Sequence, residues 1–128
     1  MVIIFSDLDQ PTVGVLPASP KEGDNITFTC SGTSNDGTMA YTWYHNDALI
    51  SGATSQTYIL RNAQKTTNNG NYHCTIKTTA FTKVSAKKNI VLRCELIGYF
   101  IFYLHLKIYI KITQVYVAYG YRNLVCTT

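Results

Sequence analysis

Asn71-Tyr72-His73-Cys74-Thr75-Ile76-Lys77 alternates strictly between two sets of side chains. In an extended chain Tyr72, Cys74 and Ile76 share one side, and His73, Thr75 and Lys77 share the other. That period of two is the mark of a strand with one buried face. Working outward, Tyr41-Thr42-Trp43-Tyr44-His45 repeats the alternation and ends at the polar turn Asn46-Asp47. Asn25-Ile26-Thr27-Phe28-Thr29-Cys30 repeats it again, with Ile26, Phe28 and Cys30 together and Thr27 and Thr29 opposite. Turn formers precede it in Pro17-Ala18-Ser19-Pro20-Lys21-Glu22-Gly23-Asp24. Ser31 to Thr38 and Asn62 to Asn69 are polar connections, and Ser51 to Thr57 reads as loop or weak edge strand. Tyr58-Ile59-Leu60-Arg61 supplies another strand, and Phe81 to Leu92 the last, with Lys83, Lys87 and Lys88 expected to face water. No helical period occurs in this region. Six or seven short strands separated by turns predict an all-β sandwich.

Within this pattern Trp43 follows Cys30 by 13 residues and precedes Cys74 by 31, and Tyr72 stands two before Cys74. Glu22-Gly23-Asp24, Trp43-Tyr44, the spaced set Tyr58, Leu60 and Ala63, and the run Asn68-Asn69-Gly70-Asn71-Tyr72-His73-Cys74 complete the set. Over residues 12–92 the chain resembles the immunoglobulin superfamily. The 44-residue separation of the two cysteines is short for a variable-type domain and is similar to the C2 or I sets of adhesion molecules and receptor ectodomains. Asn68 replaces the usual aspartate of that run. The base that normally pairs with it is also absent, because Leu49 to Thr57 contains neither Arg nor Lys.

The resemblance implies an immunoglobulin-like antiparallel β-sandwich in which Cys30 and Cys74 form a disulfide between the sheets. Trp43 is expected to pack on that bridge, and the Tyr72 phenol to bond the backbone at the corner leading into its strand. Closing a loop of this length contributes about 4 kcal/mol in the chain-entropy model, against a total of about 5–15 kcal/mol for a small domain. An oxidising, extracellular compartment is therefore expected, either secreted or on the cell surface. The implied role is an adhesion or recognition module that binds a protein partner, such as another immunoglobulin domain, through a sandwich face. The alternative is an intracellular structural domain of a muscle or cytoskeletal array, with the two thiols reduced.

Composition narrows the function further. Charged residues make up 14% of the chain and the formal charge is +4, too mild a basicity to point to nucleic acid. Residues 1–48 carry six acids and one base, and residues 49–128 ten bases and one acid; in a sandwich whose early and late strands interleave, this reads as solvated faces. His45, His73 and His105 lack metal-ligand spacing, and Cys30, Cys74, Cys94 and Cys126 are too widely spaced for a zinc ribbon or a redox pair. There is no phosphate-binding glycine loop, no nucleophile elbow and no base beside Cys94 or Cys126. No enzyme activity and no cofactor are expected.

Two surface features remain. Asn25-Ile26-Thr27 is the one N-glycosylation sequon, and with Ile26 inward Asn25 points to solvent. On the opposite sheet Thr42 and Tyr44 from one strand and His73, Thr75 and Lys77 from its neighbour are expected to face outward as the protein-binding surface.

The ends differ from the middle. Residues 1–11 read as a leader or linker remnant without the basic start and long apolar stretch of a signal peptide. Residues 93–128 form an irregular hydrophobic tail. Leu96 to Tyr119 is long enough to cross a bilayer. Lys107 and Lys111 near its centre cost about 5–7 kcal/mol, which offsets the roughly 4–7 kcal/mol of its aliphatic and Phe side chains. Flanking charge also opposes the usual orientation, so membrane anchoring is marginal. The alternation of Ile108, Ile110 and Ile112 fits an extra strand instead. The abrupt change to Ile, Tyr, Lys, Phe and Leu also fits translated AT-rich noncoding sequence.

Overall fold

Each alternating segment between residues 25 and 77 becomes a strand in the computed structural model, which describes residues 8–35 and 37–94. The strands are β1 (Thr12–Leu16), β2 (Ile26–Ser31), β3 (Ala40–His45), β4 (Ala48–Leu49) and β5 (Thr57–Leu60), followed by β6 (Gly70–Lys77), β7 (Thr82–Val84) and β8 (Lys88–Ile90). One sheet has the order β1-β2-β5. The other runs β4-β3-β6-β7, with β8 also paired to β6. All these strand pairs are antiparallel. The only helix among the described residues is α1 (Lys65–Asn68), a single turn inside the expected polar connection. Four residues are too few to show a helical period.

β3 and β4 are joined by Asn46 and Asp47, both at positive φ (48° and 66°). Two consecutive left-handed residues make the tight turn whose twist matches that of the flanking strands, and Asn and Asp tolerate it well. Gly70 opens β6 at φ 133°, where a Cβ would collide with the Asn46 side chain. The Asn46 Oδ1 accepts the Asn71 N–H at 2.9 Å, tying this turn to the start of β6.

The expected last strand is interrupted. Thr75 pairs with Val84, but Tyr72 pairs with Lys88, so the outer strand carries one extra residue over this stretch. The irregularity lies at Ser85–Lys87. There the Ser85 N–H donates to the Cys74 carbonyl at 2.8 Å and its Oγ accepts the Cys74 N–H at 3.0 Å. This is a β-bulge in which a hydroxyl substitutes for a missing ladder partner. Counted as one interrupted strand, β7 and β8 bring the sandwich to seven. The register also corrects one expectation: Lys83 pairs with inward-facing Ile76 and is half-buried, while Lys87 and Lys88 are exposed. At the edge of a sheet a lysine stem can lie along apolar surface with its ammonium in water.

The core joins Ile26, Phe28 and Cys30 of β2 to Trp43 of β3 and to Tyr72, Cys74 and Ile76 of β6, with Ala63, Ile90 and Leu92. Cys30 and Cys74 form a disulfide across the two sheets, with α-carbons 6.1 Å apart. Trp43 is fully buried, and its indole N–H donates to the Ser55 carbonyl at 2.9 Å. Tyr72 is 1% exposed and donates its phenol O–H to the Asn68 carbonyl at 3.0 Å. Its ring stacks between Phe28 and His45, both with centroids 4.4 Å away. Asn68, in the place of the family's aspartate, accepts the Gln64 N–H at 2.7 Å and so serves the turn rather than a buried ion pair. Leu8 and Pro11, ahead of β1, are also buried. Beyond β8 the Arg93 N–H donates to the Pro20 carbonyl and the Arg93 carbonyl accepts the Glu22 N–H. Residues 95–128, and with them the three readings of the tail, lie outside the described residues, as do residues 1–7.

Candidate functional site

The residues that alternate away from this core form the outer face of the β4-β3-β6-β7 sheet. Pairing sets them in transverse rows. Leu49, Tyr44 and His73 make one row, because Tyr44 pairs with Leu49 on one side and with His73 on the other. Thr42, Thr75 and Val84 make the next, and Ala40, Lys77 and Thr82 the third. All five residues expected on this face from sequence, Thr42, Tyr44, His73, Thr75 and Lys77, fall on it by register.

Their accessibility differs from expectation in one case. Thr42, Tyr44 and Thr75 are half-buried and Lys77 is exposed, but His73 is buried. The Tyr44 ring lies almost parallel to the imidazole, with centroids 4.8 Å apart and planes 6° from each other. Asp47 approaches from the β3–β4 turn, its Oδ1 3.9 Å from His73 Nδ1. His73 is thus a covered part of the face rather than an open contact residue. Its Nδ1 has no hydrogen-bond partner among the described residues.

The electrostatics follow from that burial. Loss of hydration pushes the His73 pKa below its ordinary 6.5; the Asp47 carboxylate opposes this shift and the Lys87 ammonium adds to it. The imidazole is therefore neutral at neutral pH. The Lys87 Nζ lies 2.7 Å from both carboxylate oxygens of Asp47. That hydrogen bond holds the Asp47 carboxyl below the usual carboxylate range. The pair joins the acidic first part of the chain to the basic remainder, so the uneven charge along the sequence is partly neutralised in space.

Sequence reasoning missed Leu49 and Val84. They are 62% and 50% exposed and flank the central rows at opposite edges of the sheet. Leu49 sits in a two-residue strand, too short for a period to register, and Val84 stands just before the bulge. On the other sheet Asn25 is exposed, just ahead of β2. Among the described residues no group of His, Cys, Asp and Glu could hold a metal ion, and no helix is long and apolar enough to cross a membrane.

Two facing antiparallel sheets, stapled by a disulfide between β2 and β6 beside a buried tryptophan and a corner-bonded tyrosine, define an immunoglobulin-like domain. A family model described as immunoglobulin domain matches residues 11–96. The chain belongs to that family. Similar solved structures are of the C2 or I type. The second Ig-C2 domain of human Fc-receptor like A is 19% identical, with a TM-score of 0.55, over 66% of this chain and 98% of that one. The full ectodomain of mouse nectin-like molecule 4 is 19% identical, with a TM-score of 0.58, over 70% of this chain and 32% of that one. The complex of the mouse coronavirus receptor-binding domain with its murine receptor contains a chain 20% identical, with a TM-score of 0.55, over 67% of this chain and 45% of that one. At these identities the likeness is one of fold, and the chain spans less than half of the second and third. No curated protein matches it by sequence. The domain resembles those of receptor and adhesion ectodomains.

Proposed function

We propose that this domain is one unit of an extracellular recognition or adhesion protein, and that it binds a protein partner through the outer face of the β4-β3-β6-β7 sheet. It acts as a binding module, with no catalysis and no cofactor. The observation that carries the reading is the row of Leu49, Tyr44 and His73 beside Val84. It places an aromatic ring and two aliphatic side chains, each half or more exposed for the aliphatic pair, on a rigid sheet. Aromatic and aliphatic groups on such a surface, with Lys77 and the Asp47–Lys87 pair at its margins, have the make-up of a partner-binding patch. The disulfide supports the extracellular placement, because thiols inside cells are kept reduced.

The test is a binding screen of the immobilised domain against receptor ectodomains, including a second copy of itself. Leu49→Asp with Val84→Asp serves as the matched control. A partner retained by wild type and lost by the double variant, at equal thermal stability, supports the reading. Equal retention by both dismisses this face. Titration of Cys30 and Cys74 in native material separates the extracellular reading from an intracellular structural domain, which requires two free thiols.

A further inference from the structure

The strand residues on the outer face of the β1-β2-β5 sheet carry no charge, and exposed Arg61 lies at its margin, two residues beyond Ile59. Its outward residues are Thr12, Gly14 and Leu16 on β1, Thr27, Thr29 and Ser31 on β2, and Thr57 and Ile59 on β5. Across one row Thr27 has Leu16 on one side and Ile59 on the other. These two are 69% and 46% exposed. A sheet face with exposed apolar side chains and no charged strand residue is prone to pair with a second copy unless something covers it.

Asn25 stands two residues before Thr27 and is exposed. Along a strand that spacing is about 7 Å on the same face, and diagonal neighbours on adjacent strands lie about 7–8 Å apart. The Asn25 amide is also oriented: its Oδ1 accepts the Asn62 N–H at 3.0 Å, just beyond β5.

We infer that Asn25 carries an N-linked glycan whose first sugars lie over Thr27 and cover Leu16 and Ile59. This rests on the extracellular reading above. The donor is a lipid-linked oligosaccharide diphosphate. The Asn25 Nδ2 forms a bond to the anomeric carbon while the carbon–oxygen bond to the diphosphate breaks. The diphosphate leaves with the bonding pair, and the amide gives up one proton to the transferase's base. The carbonyl oxygen remains an acceptor, so the bond to Asn62 survives modification. The C–H faces of the pyranose rings then cover the two aliphatic side chains, while the sugar hydroxyls give this sheet a hydrated exterior.

The experiment uses the full chain fused to a secretion leader in a eukaryotic host. Peptide mass mapping after enzymatic deglycosylation is expected to show Asn25 converted to Asp, and Thr27→Ser to keep the glycan that Thr27→Ala loses. In sedimentation, the unglycosylated Asn25→Gln protein is expected to self-associate at least about tenfold more tightly than the glycoprotein. Leu16→Thr with Ile59→Thr is expected to abolish that gain. Oxidised cysteines with an unmodified Asn25 overturn the glycan while leaving the extracellular reading intact. A modified Asn25 whose removal changes neither association nor melting overturns the covering of Leu16 and Ile59. Free thiols at Cys30 and Cys74 in the secreted protein overturn both.

Discussion

Replacing Tyr72 by Phe isolates one bond in this fold. The ring keeps its place between Phe28 and His45, and only the O–H donated to the Asn68 carbonyl is lost. The site is 1% exposed, so water cannot readily replace the missing donor. The expected cost is about 1–2 kcal/mol. With a urea dependence of about 1 kcal/mol per molar for a domain of this size, the unfolding midpoint should fall by about 1–2 M. High pH provides an internal check. Burial, followed by the neighbouring Tyr58 phenol, raises the Tyr72 phenol from 10.0 to about 12. Between these values the unfolded chain has released a proton that the folded one still holds, so wild-type stability falls as pH rises through this window. The variant lacks that loss, and the gap between the two proteins should narrow above pH 10. Urea titrations followed by Trp43 fluorescence at neutral and alkaline pH measure both effects. Equal midpoints at neutral pH, or a gap unchanged up to pH 12, would refute the reasoning.

Four other outcomes are expected. Cys30→Ala with Cys74→Ala releases a loop of 44 residues and should cost about 4 kcal/mol, read from guanidinium midpoints; a loss below about 1 kcal/mol would contradict it. His73→Phe keeps a ring under Tyr44 and removes the buried Nδ1 that lacks a partner. Its stability at neutral pH should equal or exceed wild type. Wild type should weaken as pH falls below 6.5, where the unfolded chain takes up the proton that buried His73 resists. Thermal melts across that range should show the decline in wild type and a smaller one in the variant. Tyr44→Ala uncovers His73 and should cost about 0.5–1.5 kcal/mol beyond the lost area. Leu49→Asp, at a position 62% exposed, should leave stability nearly unchanged, so a fall in partner binding in Leu49→Asp alone can be assigned to contact rather than to unfolding.

The corrections share one origin. The buried side of β6 was legible because Tyr72, Cys74 and Ile76 repeat every second residue, and the same holds for Ile26, Phe28 and Cys30 in β2. The accessibility of His73 was not legible, since it depends on Tyr44 and Asp47 arriving from another strand and a turn. Lys83 was expected in water because lysine is polar, whereas the register opposes it to Ile76. The bulge at Ser85–Lys87 left no local mark either. Its cause is a hydroxyl bonding the backbone of β6, across a strand boundary.

From the sequence alone came the sandwich and the inward-facing residues of its main strands, which follow from alternation within each strand and so are carried by neighbours along the chain. The pairing of Cys30 with Cys74 and the indole beside it came from the resemblance of a few distinctive residues to the immunoglobulin superfamily. The tertiary structure alone decided that Leu49 and Val84 flank Tyr44 and His73, that Asp47 meets Lys87, and that Leu16 and Ile59 bracket Thr27. Strand register makes those meetings. It is set jointly by distant segments packing against one core, so no single stretch of sequence contains it.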